Sequence, residues 1–181
     1  MRRQWDAGVL NVVWVGDITY LRTWEGWLCL ATVIDAHSRR VIGWAVADHM
    51  RTDLVEDALR MAIVLRGERP AKVVFHADRG IQHASDQITR FAATNAITRS
   101  MGRIGVCWDN AMAESFFATL KTEFYYRGVW PTKACASKAV GTWIEDRYNS
   151  RRRRHSALGQ ISPVSFEMQH CNQPAAALQA A

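Results

Sequence analysis

The sequence predicts an α/β fold in which a mixed β-sheet is flanked by helices. Near the N-terminus, three consecutive segments are rich in β-branched and aromatic residues, and turn-prone clusters separate them. The apolar spacing then changes to the helical period, and short apolar segments alternate with helical ones along the rest of the chain. Three antiparallel strands followed by alternating helices and strands are typical of a mixed sheet with helices packed on its faces.

The three N-terminal segments span residues 12–21, 27–35 and 40–47, and we expect them to form an antiparallel meander. The first helix begins near Thr52, whose hydroxyl suits an N-cap, and Gly67 is expected to end it. Its apolar face follows helical spacing and consists of Leu54, Val55, Ala58, Leu59, Ala62 and Leu65.

Strands and helices alternate in the middle of the chain. A short buried strand over residues 72–76 precedes a helix over 85–95 and a brief strand over 96–99. After a glycine-containing loop, another helix starts near Asp109 or Asn110, because either side chain can cap it.

The composition fits one globular domain. The chain has 181 residues, of which 49% are hydrophobic and 22% charged, enough for one sizeable core and too few for two ordinary domains. A last helix over residues 133–148 and a basic segment complete the domain, which we place at residues 8–168. Residues 169–181 are rich in alanine and glutamine and are expected to form a disordered tail.

The sequence lacks the features of a membrane or disulfide-rich protein. No apolar run approaches the roughly 20 residues that cross a bilayer, so we expect a soluble, cytoplasmic protein with no membrane partner. The four cysteines form no C-x-x-C pair, which argues against a zinc knuckle or a disulfide framework. We expect reduced and mostly buried thiols at Cys29, Cys107, Cys135 and Cys171.

The excess of positive charge lies in the second half of the chain. The formal net charge is +6, yet residues 1–90 carry 12 basic and 11 acidic side chains, whereas residues 91–181 carry 11 and 6. Four of the cations are consecutive, Arg151 to Arg154. This distribution favours a polyanionic partner without identifying it.

Asp17 lies inside an apolar β segment, where an unpaired buried carboxylate costs several kcal/mol. A position at a sheet edge or an arginine partner explains a lone aspartate equally well. Asp78, however, ends the strand at residues 72–76, and open α/β sheets place their sites at such strand ends. If the two strands are neighbours, the carboxylates come close together and must share a proton or a cation.

Glu114 is a third candidate, on the helix that follows the glycine-containing loop. It lies off the apolar face of that helix, and Lys121, about two turns later, shares its side. A single glutamate of this kind is more often a solvated surface residue, so its significance depends on the other two carboxylates. The apolar face is expected to consist of Ala113, Phe116 or Phe117, Leu120 and Phe124.

Three carboxylates without a cysteine or histidine cluster suit a hard cation such as Mg²⁺, which Mn²⁺ can replace. Two such ions about 3.5 to 4 Å apart can activate a water or hydroxyl and stabilise the leaving oxygen of a phosphoryl displacement. The pattern therefore predicts phosphoryl-transfer chemistry beside a basic surface.

Five motifs carry a family resemblance. They are W-V-G-D-I-T-Y around Asp17, H-A-D-R-G-I-Q-H around Asp78, C-W-D-N-A-M-A-E-S-F-F-A-T-L-K around Glu114, Y-N-S-R-R-R-R-H-S-A-L-G, and S-P-V-S-F-E. Between Asp78 and Glu114 lie 35 residues, the family's characteristic interval. Over residues 10–168 the chain resembles the integrase core of insertion-sequence transposases, which are DDE recombinases related to retroviral integrases.

The resemblance implies an RNase H-like fold and assigns roles to single residues. Asp17 would bridge two metal ions, and Asp78 and Glu114 would each complete one of the two sites. Lys121 occupies the family's basic position and would contact DNA near the cut. The arginine run would neutralise phosphates through Arg151, Arg152, Arg153 and Arg154. Trp108 would stack on an unpaired base, with packing on the core as the alternative.

The implied function is cleavage and strand transfer of DNA ends during transposition, by a multimer acting on element ends and target DNA, in a bacterial cytoplasm and in association with the nucleoid. Full-length family members carry an upstream helix-turn-helix region, and we expect this chain to be a piece that lacks it.

Three other functions remain as alternatives. A plain RNase H-like nuclease would use the same chemistry, although Lys121 and the arginine run favour the transposase. A catalytically silent DNA-binding or oligomerisation fragment would retain the fold alone. A hydrolase could use residues such as Cys107 and His76, but no nucleophile-elbow motif supports it.

Overall fold

A five-stranded sheet organises the computed structural model, which describes residues 8–67, 69, 72–77, 85–101, 111–150 and 155–171. The strands are β1 (Val13–Thr23), β2 (Gly26–Asp35), β3 (Val41–Ala47), β4 (Val73–Ala77) and β5 (Ile97–Met101). Their order across the sheet is β3-β2-β1-β4-β5. The pairs β1·β2 and β2·β3 are antiparallel, whereas β1·β4 and β4·β5 are parallel. The expected meander and mixed sheet are confirmed.

Helices lie between and after the strands. They are α1 (Thr52–Arg66), α2 (Asp86–Thr94), α3 (Ala111–Glu123), α4 (Lys133–Thr142) and α5 (Pro163–Cys171). A π-helical segment, Trp143–Asn149, continues α4, and short 3-10 turns lie at Tyr125–Arg127 and Ser156–Leu158. No helix in the described ranges is long and apolar enough to cross a membrane.

The two faces of the sheet bury two separate apolar cores. On one face, Trp14 and Phe75 pack with residues of α1 and α2, such as Leu59 and Ile88. On the other, Leu21, Leu30 and Ile34 pack with α3, α4 and the π-helical segment, through residues that include Phe116, Leu120, Val140 and Ile144. Because side chains alternate along a strand, β1, β2 and β3 contribute to both cores, whereas the core residues of β4 and β5 in the described ranges, Val73, Phe75, Ala77 and Ile97, lie on the α1 side.

Most element boundaries agree with the sequence to within two residues. Gly67 ends α1 with a φ of 52°, and the Ser85 hydroxyl caps α2 by accepting a hydrogen bond from the Ile88 amide. The expected cap at Thr52 is wrong, because the extended residue before the helix is Arg51 and Thr52 is already helical. The last helix runs through Cys171, three residues into the expected tail, and residues 172–181 lie outside the described residues.

The expectation that the cysteines are mostly buried is also wrong. Cys29 is buried on β2, but Cys135 and Cys171 are exposed, and Cys107 lies outside the described residues. Cys135 precedes the buried Ala136 on α4 and lies on the exposed side of that helix. All three described cysteines are free thiols.

A buried polar network fixes α5 to the sheet and to α1. The Glu167 carboxylate accepts hydrogen bonds from Ser38 Oγ at 2.6 Å, from Arg40 Nη1 at 2.7 Å and from both terminal nitrogens of Arg66. Asp35, fully buried at the end of β2, accepts from the backbone amides of Asn11, His37 and Ser38. The network joins parts of the chain that are more than one hundred residues apart.

Glu167 is charged in this network. Burial by itself raises the pKa of Glu167, but hydrogen bonding and charge attraction from Arg66, with the hydrogen bonds of Ser38 and Arg40, outweigh burial and hold the pKa below its ordinary value of 4.5. Since the pKa is depressed in the folded state, Glu167 stabilises the fold above the unfolded-state value. That stabilisation is lost as the pH falls through the folded-state pKa.

Glu167→Gln should therefore destabilise the protein by about 3 kcal/mol near neutral pH, because it leaves Arg66 and Arg40 without their anion. Urea unfolding monitored by circular dichroism measures this loss, which should shrink in acid. The exposed Asp57→Asn is the matched control and should change the free energy of unfolding by less than about 0.5 kcal/mol. An equal loss in both variants would contradict the role of the network.

Candidate active site

Asp17 faces the α3 side of the sheet. Val15, two residues earlier on β1 and thus on the same face, packs with Ala113 of α3, whereas the alternate residues Trp14 and Ile18 pack on the α1 side. The Asp17 side chain is partly exposed, and its Oδ1 accepts a hydrogen bond of 2.7 Å from the Ile18 amide. The carboxylate therefore stands at the margin of the core with access to solvent.

Strand β4 lies parallel to β1 and directly beside it. In the register, Val15 pairs with His76 and Gly16 pairs with Ala77, the last residue of β4. Strand β4, which ends one residue before Asp78, is therefore adjacent to the strand that carries Asp17. The sequence predicts that the two carboxylates can meet only if these strands are neighbours. Asp78 itself lies outside the described residues.

Gly16 leaves room for the side chain of Phe75 on the neighbouring strand β4. A Cβ built on Gly16 would lie 2.3 Å from Cζ of Phe75, whose buried ring packs against the glycine. Glycine is thus required next to Asp17 by packing, since any side chain there would push the Phe75 ring away from the core.

Glu114 lies in the first turn of α3 and is exposed, while Ala113, Phe116, Phe117 and Leu120 form the buried face of the helix. A carboxylate at this end also interacts favourably with the helix dipole. Helix α3 packs against β1 through Ala113, the neighbour of Glu114, and Val15, two residues before Asp17. The helix face predicted from the sequence is confirmed.

Lys121 lies two turns after Glu114 and is partly buried. Burial lowers the pKa of Lys121, and the charge of Asp17 opposes that shift. The positive charge of Lys121 and the negative charge of Asp17 therefore interact. Trp108 and arginines 151 to 154 lie outside the described residues.

Thr32 is a polar neighbour of Asp17 that sequence reasoning missed. It is the cross-strand partner of Asp17 on β2, it is only 2% exposed, and its Oγ1 has no hydrogen-bond partner among the described atoms. Directly opposed residues of an antiparallel pair share a face and have Cβ atoms about 5 Å apart. The signal was present in the sequence, since Thr32 interrupts the apolar run of β2 with a hydroxyl.

Both ends of the basic run are anchored. Before it, the Asn149 side chain exchanges two hydrogen bonds with the backbone of Val41 on the edge strand β3, at 2.9 and 2.8 Å. Glu145 accepts from Trp44 Nε1 at 3.0 Å and from Asn149 Nδ2 at 3.2 Å. After the run, the His155 amide donates to the carbonyl of Ile161 at 3.1 Å. Asn149 thus occupies the place of a further strand beside β3.

The donors near Asp17 suit a hard divalent ion. Asp17 and Glu114 offer carboxylate oxygens and Thr32 a hydroxyl, and such oxygen donors are the ligands that a hard cation prefers. The described residues contain no group of three or more histidine, cysteine, aspartate or glutamate side chains placed to hold a metal, and Asp78 would be the third carboxylate.

Sequence comparison decides the family. A family model described as "Integrase core domain" matches residues 10–107, and a second model with the same description matches residues 95–163. The transposase InsF of insertion sequence IS3fB from Escherichia coli is 45% identical over 160 residues, covering 88% of this chain and 55% of that protein. The chain belongs to the integrase-core family of insertion-sequence transposases.

Further relatives agree with this membership. The "Insertion element IS600 uncharacterized 31 kDa protein" of Shigella sonnei is 40% identical over 86% of this chain and 57% of that protein. This integrase core thus spans about half the length of the relatives it matches.

Solved structures show the same fold at low sequence identity. A chain of the simian T-cell lymphotropic virus intasome, in complex with the PP2A regulatory subunit B56 gamma, superposes with a TM-score of 0.73 at 20% identity, covering 97% of this chain and 58% of that chain. The HTLV-2 integrase catalytic core domain in complex with magnesium gives 0.64 at 18% identity, covering 86% and 95%. The RNase H-like fold is confirmed.

Thr32→Val should leave the free energy of unfolding within about 1 kcal/mol, because it removes a buried hydroxyl that has no described partner and keeps the side-chain shape. If the hydroxyl helps to hold an ion bound at Asp17, Mn²⁺ affinity measured by calorimetry should fall about tenfold.

Thr23→Val is the contrasting control, since the buried Thr23 hydroxyl donates to the Gly26 carbonyl at the far end of β1. It should lower stability and leave Mn²⁺ binding unchanged. Unaltered Mn²⁺ binding in Thr32→Val would assign Thr32 to packing alone.

Proposed function

We propose that this chain is the catalytic core of a transposase that cleaves DNA ends and transfers strands, with Asp17, Asp78 and Glu114 as its three carboxylates. The observation that carries the proposal is the parallel pairing of Gly16 with Ala77, the residues that precede Asp17 and Asp78. Consecutive Cα atoms are about 3.8 Å apart and neighbouring strands about 4.8 Å, so a chain that continues from this pairing would bring the two aspartates close together.

The alternation of side chains supports a common face for the two aspartates. On β4, Phe75 and Ala77 belong to the α1-side core, as Trp14 does on β1. Residues of opposite parity face α3, where Asp17 lies. If the pairing continues by one residue, Asp78 is the partner of Asp17 on that face.

Glu114 would complete the set from the side of α3. The helix is fixed against β1 by the buried pair Val15 and Ala113, and Glu114 is the next residue along it. Its exposed first-turn position lets the carboxylate take a ligand without disturbing the core of the helix.

We propose Mg²⁺ as the physiological ion, with Mn²⁺ as a functional substitute, because the donors are oxygens. The HTLV-2 integrase core that shares the fold was solved in complex with magnesium. When bound between the carboxylates, such ions polarise phosphoryl oxygens and make a water or hydroxyl a better nucleophile. The protein's own contribution would be to hold Asp17 on β1 and Glu114 on α3, with the charge of Lys121 acting on Asp17.

DNA would lie across the side of the molecule that carries the carboxylates. Lys121, whose pKa burial lowers, offers a cation next to Asp17 for a phosphate near the cut. Arginines 151 to 154 extend from an anchored point at Ser150, whose Oγ donates to the Glu145 carbonyl at 2.6 Å, and end at the anchored His155. Trp108 is proposed to stack on an unpaired base near the same helix.

We propose that the chain acts as a multimer on paired element ends and target DNA. The related solved structures include an intasome and integrase cores in trimeric and dimeric forms. The relatives come from Escherichia coli and Shigella sonnei, so we place the activity in a bacterial cytoplasm, on nucleoid DNA.

Strand rejoining on a branched DNA substrate with Mn²⁺ tests the carboxylates. Asp17→Asn, Asp78→Asn and Glu114→Gln should each reduce rejoining by about a hundredfold or more, because each removes a metal ligand. Asp17→Asn should keep the fold, since it relieves repulsion between carboxylates.

Glu123→Gln is the matched control, because Glu123 lies on the same helix, nine residues after Glu114 and on the opposite side. Rejoining that persists in the three variants would overturn the proposed site. DNA binding without rejoining in the unaltered chain would favour a silent DNA-binding fragment.

The basic run is tested by the salt dependence of DNA affinity. Replacing Arg151 to Arg154 with alanine should reduce the slope of log K against log salt by about 0.9 for each phosphate contact that is lost. Fluorescence anisotropy with labelled duplex DNA measures the slope. A control with the same loss of charge replaces the exposed residues Arg51, Arg90, Arg127 and Lys138. Equal slopes in the two variants would remove the run from the proposed DNA surface.

A further inference from the structure

A pair of histidines joins the β2–β3 connection to the C-terminal helix. His37 lies between β2 and β3, His170 lies in the last turn of α5, and the two residues are 133 positions apart in the sequence. Their Nε2 atoms are 3.2 Å apart. Neither residue belongs to the carboxylate set, and no sequence motif singled them out.

The separation of the two nitrogens suits chelation of one ion. For a tetrahedral ion with metal–nitrogen bonds of about 2.0 to 2.1 Å, two ligand nitrogens lie about 3.3 to 3.4 Å apart. The observed 3.2 Å is within a few tenths of an ångström of that spacing. The distance therefore allows one ion to be held by both imidazoles once each ring has tilted so that its Nε2 lone pair points at the ion.

The tautomer of His170 is fixed in the form that a metal ligand needs. Its Nδ1 lies 3.2 Å from the carbonyl oxygen of Phe166. A carbonyl oxygen only accepts, so Nδ1 carries the proton and the neutral ring presents its lone pair at Nε2. Such a hydrogen bond from the second nitrogen is a general feature of metal-bound histidines.

The proton balance of His37 is simple. In the absence of metal, His37 Nε2 carries the hydrogen that it donates to His170 Nε2. When an ion takes both Nε2 lone pairs, that hydrogen moves to His37 Nδ1, and the ring stays neutral.

The two rings are held in place before any ion arrives. Phe166 packs against both rings, with its centroid 5.1 Å from that of His37 and 4.2 Å from that of His170. Ser38, the neighbour of His37, donates a 2.6 Å hydrogen bond to Glu167, one turn before His170 on α5. Because packing and the buried network already order both imidazoles, binding would cost little additional side-chain entropy.

We propose that His37 and His170 form a second, separate metal site for an imidazole-preferring divalent ion, with Zn²⁺ as the reference ion. Both side chains are half-buried, so solvent molecules can complete the coordination. Imidazole ligands prefer Zn²⁺, Ni²⁺ or Cu²⁺ to Mg²⁺, which separates this site chemically from the carboxylates. A bound ion would fasten α5 to the β2–β3 connection, and it would do so whether or not the proposed DNA chemistry is correct.

Calorimetric titration with Zn²⁺ in the presence of excess Mg²⁺ tests the site. The unaltered chain should bind one Zn²⁺. His37→Gln and His170→Gln should each weaken binding by about tenfold or more. Zn²⁺ should raise the melting temperature of the unaltered chain and not that of the two variants.

His49→Gln is the matched control, because His49 is a half-buried histidine on the β3–α1 connection whose Nδ1 lies 3.8 Å from Asp53. It should leave Zn²⁺ affinity unchanged, as should Glu114→Gln. The proposal would be overturned if the unaltered chain bound no Zn²⁺, or if His170→Gln bound Zn²⁺ as tightly as the unaltered chain. It would also be overturned if Glu114→Gln lost Zn²⁺ binding while His170→Gln kept it, because the ion would then lie on the carboxylates.

A second measurement avoids dependence on the stability of the variants. Ni²⁺ added to the unaltered chain should broaden the imidazole proton signals of His37 and His170 in NMR spectra before those of His49. Uniform broadening of all histidines would contradict a specific site.

Discussion

The parallel pairing of β1 with β4 is the constraint on which the candidate site depends. It places the carboxyl ends of the two strands at the same edge of the sheet and fixes which residues are neighbours there. A slip of one residue would turn Asp17 towards the α1-side core, because side chains alternate along a strand. The Phe75 ring packed on Gly16 opposes such a slip, since no other residue of β1 beside it leaves the same space.

The asymmetry of the two cores explains how a carboxylate is tolerated in a central strand. The α1 side of β1 is filled by aromatic and aliphatic side chains, whereas on the α3 side the apolar packing around Val15 gives way to Asp17, Thr32 and the nearby charge of Lys121. Partial exposure of Asp17 reduces its desolvation cost, and the lysine compensates part of what remains. Polar and charged side chains thus interrupt the apolar packing on one face of β1.

Two polar anchors hold the C-terminal third of the domain against the sheet. Asn149 satisfies the backbone of Val41 on the edge strand, and Glu167 binds Arg40, Arg66 and Ser38 in a buried network. Both residues lie in motifs that carried the family resemblance, Y-N-S and S-P-V-S-F-E. Their structural role is to fix the segments on either side of the basic run. The two motifs therefore determine the architecture around the site as well as identify the family.

The sequence alone determined the family, the three-stranded meander and the apolar face of α3, from which Glu114 is excluded. These features depend on local periodicity and on motifs in a fixed order. The sequence misjudged the cap at Thr52 and the burial of Cys135, since the exit from β3 and the direction of a single side chain depend on contacts distant in sequence. Only the tertiary structure decided that Thr32 lies opposite Asp17, that Glu167 neutralises Arg66 and that His37 meets His170. Each of these pairs joins segments that no local pattern connects, and their contact is set by strand register and helix packing.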